Sequence, residues 1–278
     1  MGGLLGLAFT LGPVVAVVAL SLARLDRRWI FVAASGLALL GCLLGAFVLQ
    51  ETLPEERRRP LSAAAPGLGS LAREMRGVWS PAMCCIWLGR FCASFALLCL
   101  FATYAFLIRD AFGWGDMEFG LILASSGITA ACAQFLLYPR ASAVLGKHAV
   151  FVVGSICVAA YFVCLPMVTI GNRYVVVHLM IKVGFCIGSA FMDAGIPDLV
   201  GFHAREDRMG FAQGLTTAFR SFASVLAPLL AGALYDRSPY IVYFVAAALA
   251  GIGGLAVACA PLLPTSRELG ETTKLLGR

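Results

Sequence analysis

The sequence predicts an all-α polytopic membrane protein with about eight transmembrane helices, and three observations carry that prediction. First, 60% of the 278 residues are hydrophobic and 13% are charged, with a mean hydropathy of +0.90; soluble domains carry about 25% charged residues. Second, the apolar residues run in continuous stretches rather than alternating, which excludes an outer-membrane barrel. So much apolar surface also excludes disorder. Third, most basic residues sit between the apolar stretches, so the net charge of +6 is a matter of distribution across a bilayer and implies no nucleic-acid partner.

The apolar stretches place spans at about 3–22, 29–49, 79–107, 117–138, 149–170, 174–200, 209–235 and 240–262. Each approximates or exceeds the roughly 17–25 residues that cross a bilayer. The first has no basic start and is too long for a signal-peptide core. The third exceeds the bilayer thickness and should tilt or protrude. One connector is long, from Gln50 to Trp79. It carries Glu55, Glu56, Arg57, Arg58 and Arg59, then a Pro/Ala/Gly-rich run from Ser62 to Gly69, as suits a linker between helix bundles. Its end, Ser70 to Trp79, fits a short interfacial helix. The organisation expected is therefore two helices over 1–50, a cytoplasmic linker over 51–78, a six-helix bundle over 79–262 and a cytoplasmic tail over 263–278.

With both termini cytoplasmic, the inner loops and tail hold twelve basic residues: Arg57, Arg58, Arg59, Arg73, Arg76, Arg140, Lys147, Arg205, Arg208, Arg267, Lys274 and Arg278. The outer loops hold six: Arg24, Arg27, Arg28, Arg109, Arg173 and Arg237. That excess supports both termini inside. The first span by itself argues the reverse, having basic residues only after it. Its orientation is then expected to be imposed by helices preceding it in a longer chain.

The ten cysteines all lie in apolar runs. Cys85, Cys92 and Cys99 recur every seventh residue, about 10 Å apart along a helix, too far to share a metal. They read as small packing residues. No zincin, phosphate-loop or nucleophile-elbow motif occurs, so no catalytic residue is assigned and no enzyme is expected. His148, His178 and His203 lie far apart in the chain and offer no metal spacing, and no cofactor is implied.

A loose internal repeat pairs Phe31-Val-Ala-Ala with Phe244-Val-Ala-Ala, 213 residues apart. Upstream of each lie a small residue, a proline and an Asp-Arg turn: Gly12-Pro13 with Asp26-Arg27, and Ala227-Pro228 with Asp236-Arg237. Parallel half-repeats are a transporter feature. The order of motifs resembles the major facilitator superfamily. Gly12-Pro13 looks like the antiporter signature of that family's fifth helix, although Ala8, Ala16 and Val17 replace expected glycines. Glu51-Thr52-Leu53-Pro54 looks like the end of its sixth helix, especially in the multidrug and tetracycline-efflux branch. Gly120, Gly127, Gln134, Arg140 and Gly146-Lys147 look like its eighth helix and following loop. Gly210, Gln213-Gly214, Pro228, Gly232 and Tyr235-Asp236 look like its eleventh. The resemblance covers the family's helices five to twelve, which implies an incomplete major-facilitator-type bundle and an N-terminally truncated form.

Charges deep in a membrane are functional candidates by default. On the sixth predicted span, His178, Lys182, Ser189 and Asp193 fall within about 60° of arc at 100° per residue. Such a stripe should face protein or water. The resemblance equates this span with the family's tenth helix, which lines the central cavity. The alternatives are a substrate or ion path, or structural pairs with His178 and Lys182 snorkelling to an interface. Asp193 lies about 12 Å and Arg90 about 18 Å from the same side, within an arginine's reach, and the resemblance packs their spans side by side as the family's seventh and tenth helices; it thereby implies an Arg90–Asp193 ion pair, either one that opens for substrate or a proton or a permanent structural pair. Arg220 shares a helical face with Gln213, Thr216, Thr217 and Ser224 and is a further path candidate. Gln134 is another. Gly12, Pro13, Pro228 and Gly232 are assigned to helix packing or gating.

The resemblance implies secondary transport of a small organic solute, either with proton coupling or as a facilitator, with efflux as the favoured direction. The partners are the lipid bilayer and that solute, with a homodimer or a second transporter half supplying the opposite wall. The alternative is a non-transporting truncated membrane protein that binds or regulates a full-length transporter.

Overall fold

The computed structural model describes residues 11–12, 15, 27–48, 68–169, 174–205 and 208–264. The first predicted span, apart from Leu11, Gly12 and Val15, lies outside the described residues, as do most of the long linker and the tail. Every regular element among the described residues is a helix. Six are long and apolar enough to cross a membrane, and the protein is an integral multi-pass membrane protein.

Helix α1 (Arg27–Phe47) is apolar on all sides and exposed along nearly its whole length, the pattern of a helix whose solvent is lipid or another protein. Helix α2 (Leu68–Val78) is short and amphipathic, at the place where an interfacial helix is expected. Arg208 fastens it, donating through Nη1 to the carbonyl oxygen and to Oε2 of Glu74, both at 3.2 Å.

Helix α3 (Pro81–Phe112) is the centre of the bundle. Ser80 caps it by accepting the Met83 N–H at 3.2 Å. A left-handed Gly113 (φ 69°) ends it, a conformation that glycine adopts without a Cβ penalty. It runs five residues beyond the predicted end, as expected of a helix that protrudes or tilts.

Helix α4 (Asp116–Leu145) also outruns its prediction, which stopped at the residue before Pro139. A π-helical turn over Ala133–Leu137 precedes Tyr138–Leu145, whose first turn holds the proline. The widened turn and the first-turn position together remove the hydrogen bond that proline would otherwise break. Arg140, expected in a loop, is thus helical, and its guanidinium donates to the Leu136 carbonyl at 2.7 Å.

Helices α5 (Lys147–Thr169), α6 (Val175–His203), α7 (Met209–Arg237) and α8 (Pro239–Cys259, with a further short turn to Leu262) complete the bundle. Helix α3 packs on α7 and α8, α8 packs on α5, and α5 packs on α6. Helix α4 lies at the periphery against α6. Small residues set two close crossings. A Cβ at Gly188 would stand 2.7 Å from the Gly154 carbonyl oxygen, and one at Gly154 would stand 2.6 Å from that of Gly188. A Cβ at Gly89 would stand 2.5 Å from Val257 Cγ2. Between lipid-solvated helices, this close backbone approach is what supplies packing energy.

Helix α7 meets α3 through Ala223, Ala227 and Ala231, all fully buried, and through Trp87, whose indole Nε1 donates to Thr216 Oγ1 at 3.2 Å. Pro228 and Gly232, expected to pack, sit instead on the outward face of this helix. A Cβ at Gly232, or at Gly12, would meet nothing within 4 Å. The every-fourth-residue alanine ridge does that packing. Pro13 lies outside the described residues.

Candidate functional site

The polar stripe on α6 divides into two regions about 16 Å apart, eleven residues at 1.5 Å each. Toward the His203 end, Arg90 of α3 donates through Nη1 to Asp193 Oδ1 at 2.6 Å. The guanidinium side is sealed and the carboxylate side is not: the side chains are 10% and 39% exposed, respectively. Asp193 borders a cavity of ≈ 20 Å³ with Ser94, Val158, Phe185, Ser189 and Met192, room for about one water molecule. Ser189 Oγ donates to the Cys186 carbonyl at 3.1 Å, leaving its lone pairs free to accept from that space. Chemically, this is a buried cation neutralised by a partly exposed carboxylate that borders a small cavity. Protonation of that carboxylate would leave the cation uncompensated.

Toward the Val175 end, the stripe is closed in by aromatic rings. His178 is fully buried, and its Nε2 lies 2.9 Å from the Tyr104 hydroxyl. Its ring stacks on Tyr104, with Phe112 and Trp114 completing the surround. Lys182 is 6% exposed. Its Nζ stands 4.0 Å from the ring centroid of Tyr104, 4.8 Å from Phe185 and 5.5 Å from Tyr161. Ring faces attract a cation by about 2 kcal/mol when water is excluded. Lys182 and His178 therefore do not snorkel to an interface, as one expectation had it; Tyr104, Tyr161 and Phe185 hold Lys182 inside the bundle.

The remaining candidates scatter. Gln213 donates through Nε2 to the Pro197 carbonyl at 3.2 Å, linking α7 to α6. Thr216 is buried against Trp87, whereas Thr217, Arg220 and Ser224 are exposed on the outward face of α7. Arg220 makes no ion pair among the described residues. Gln134 falls within the π turn of α4, and its Oε1 is buried without a hydrogen-bond partner. His148 and His203, far apart in the chain, meet with Nε2 atoms 2.9 Å apart. The α5–α6 hairpin returns the end of one helix to the start of the other. Among the described residues no group of three or more His, Cys, Asp or Glu side chains is placed to hold a metal.

The residues missed from sequence are the rings around Lys182. A signal existed: Tyr104 and Tyr161 lie within predicted spans, whereas tyrosine favours the membrane interface, where its hydroxyl stays wet.

The family model described as Major Facilitator Superfamily matches residues 1–228 and residues 86–275. Among characterised proteins, the chain is similar to "Tetracycline resistance protein, class C" of Escherichia coli, with 29% identity over 85% of this chain and 58% of that protein. It is also similar to "Multidrug resistance protein 2" of Bacillus subtilis (strain 168), with 23% identity over 75% of this chain and 51% of that one. "Multidrug resistance protein 1" of the same organism is 23% identical over 90% of this chain and 61% of its own length. The chain thus spans about half to three-fifths of the length of these relatives. A helical bundle built on small-residue crossings, a charged stripe inside it and a family match over most of the residues agree, and the chain belongs to the major facilitator superfamily.

Proposed function

We propose that the chain carries the cavity-lining part of a secondary transporter that exports a small organic solute, with a proton as coupling ion and both termini cytoplasmic. The observation that carries this reading is the Arg90–Asp193 pair on the wall of the cavity. A permanent structural pair gains nothing from a half-exposed carboxylate, whereas a switch needs one that protons reach. Protonation of Asp193 releases the Arg90 guanidinium toward the cavity, and deprotonation restores the pair and expels what had taken its place. The family relation and the names of the relatives support efflux as direction.

The test is transport in membrane vesicles with an imposed pH gradient, using tetracycline, a cationic dye and an anionic dye as probes. Asp193→Asn should retain the folded, monodisperse state and reduce gradient-driven movement of the transported probe at least tenfold. Undiminished transport by folded Asp193→Asn removes the switch.

A second reading follows from the exposed faces of α1 and α7, the latter carrying Arg220 without an ion pair among the described residues. A second copy, or another transporter half, would cover those faces. In the non-transporting form of this reading, the chain regulates a full-length transporter. The mass of the native protein separates the two: a product well above 29.4 kDa favours a larger transporter, and one at that mass directs the next experiment to oligomeric state.

A further inference from the structure

The Lys182 cluster is not accounted for by the Arg90–Asp193 switch. Lys182 is buried between α3, α5 and α6, and no carboxylate among the described residues reaches it. The nearest acidic position on its own helix, Asp193, is engaged with Arg90. Two further polar atoms in the cluster are buried and unpartnered: the Tyr161 hydroxyl, on a residue 2% exposed, and Nδ1 of His178, on a residue with no exposure. Tyr161 belongs to the ring set around the ammonium, 5.5 Å from ring centroid to Nζ. His178 is one helical turn from Lys182 and shares Tyr104 with it. When the Tyr104 hydroxyl donates to Nε2, the imidazole hydrogen resides on Nδ1, and that N–H lacks an acceptor. The cluster then offers an ammonium, a phenol O–H and an imidazole N–H as donors, with the phenol oxygens of Tyr104 and Tyr161 but no carboxylate among the described residues to accept from them. Buried groups left unsatisfied in a native structure call for a missing partner. The stripe and its partners carry two buried cations, Arg90 and Lys182, against the single, partly exposed carboxylate of Asp193.

We propose that Lys182 and the Tyr161 hydroxyl form a site for a compact monoanion, either the carboxylate of an organic acid or a free halide. His178 is a positioning residue that holds Tyr104 against the ammonium. Phe185 lines both the lysine cage and the cavity beside Asp193, so it forms the wall between this site and that space, and its rotation opens one to the other. The organic part of a carboxylate ligand would lie along Phe185, Val158 and Met192. This site rests on the transport reading only in assigning the anion to a solute.

The experiment measures binding rather than flux. The 278-residue chain in nanodiscs is melted in sodium benzoate or sodium chloride, each against sodium sulfate at equal ionic strength. Expected is a saturable rise in Tm with benzoate. A rise with chloride as well identifies a bare monoanion site, and a rise with benzoate alone identifies an organic acid's headgroup. Lys182→Met should abolish saturation, Lys182→Arg should preserve it, and Tyr161→Phe should weaken apparent affinity about tenfold, the usual weight of one hydrogen bond to a charge. If Lys182→Met does not yield monodisperse protein, Tyr161→Phe, which removes only a hydroxyl, carries the test. The proposal is overturned if neither anion gives a saturable shift in folded protein, or if the shift survives Lys182→Met and disappears in Arg90→Gln. A saturable shift in a chain that moves no probe would remove the transport reading and leave the site. Transport without any anion shift would do the reverse.

Discussion

The two ends of the α6 stripe solve one problem in opposite ways. Each brings a long cationic side chain into an apolar bundle. At one end, Arg90 is neutralised by a carboxylate that keeps contact with a cavity. At the other, Lys182 is surrounded by ring faces and meets no carboxylate among the described residues. The difference teaches that burial alone does not mark the chemically active end. A carboxylate partner makes a charge responsive to protons, because one titration cancels the interaction. Ring faces do not titrate in that way, so an aromatic cage fixes a cation's position and leaves its charge for a ligand.

Substitutions can break or sharpen this contrast. The largest effect should come from Gly188→Leu, because the α5–α6 seam positions both ends. Even its Cβ would stand 2.7 Å from the Gly154 carbonyl oxygen and 2.8 Å from Cys157 Cβ. Overpacking of this kind costs about 3 kcal/mol or more against unyielding backbone. Loss of monodisperse protein in size-exclusion chromatography, with Gly201→Leu tolerated in open space, would show it.

Next in size is an asymmetry within the ion pair. Asp193→Leu strands a sealed guanidinium and should cost about 3 kcal/mol. Arg90→Met leaves a carboxylate that solvent still reaches and should cost about 1 kcal/mol. The double substitution should recover most of the larger loss. A double-mutant cycle in reversible detergent unfolding measures all three; equal single losses would mean the two sides are equally sealed.

Smaller still is Tyr104→Phe, which removes the bond to His178 but keeps the ring over Lys182. About 1 kcal/mol is expected in the same unfolding assay, with Lys182→Met changing stability independently of it. The least effect is expected from Arg220→Gln, within about 0.5 kcal/mol, as for exposed positions. A larger change, appearing only under conditions where the protein self-associates, would identify the α7 face as buried in an assembly.

The six described spans were legible because continuous hydrophobicity is a strong local signal that lipid enforces. Boundaries failed where local punctuation misled, as at Pro139, whose effect the π turn absorbs. The Arg90–Asp193 contact was legible from depth along two helices plus the resemblance that set those helices side by side. The His148–His203 contact and the lysine cage were not. Their members are separated by 55 residues in one case and come from three helices in the other, and aromatic residues carry no distinctive spacing.

By itself, then, the sequence determined that this chain spans a membrane, where its helices run and that α6 carries a polar stripe facing inward, because hydrophobic length and helical period are local properties. Only the tertiary structure decided which partner each charge receives. Arg90 and Lys182 are equally apolar in context when read along the chain. The glycine crossings of α5 with α6 and of α3 with α8 rotate one toward a carboxylate and enclose the other in rings, and such rotations depend on contacts that no stretch of sequence contains.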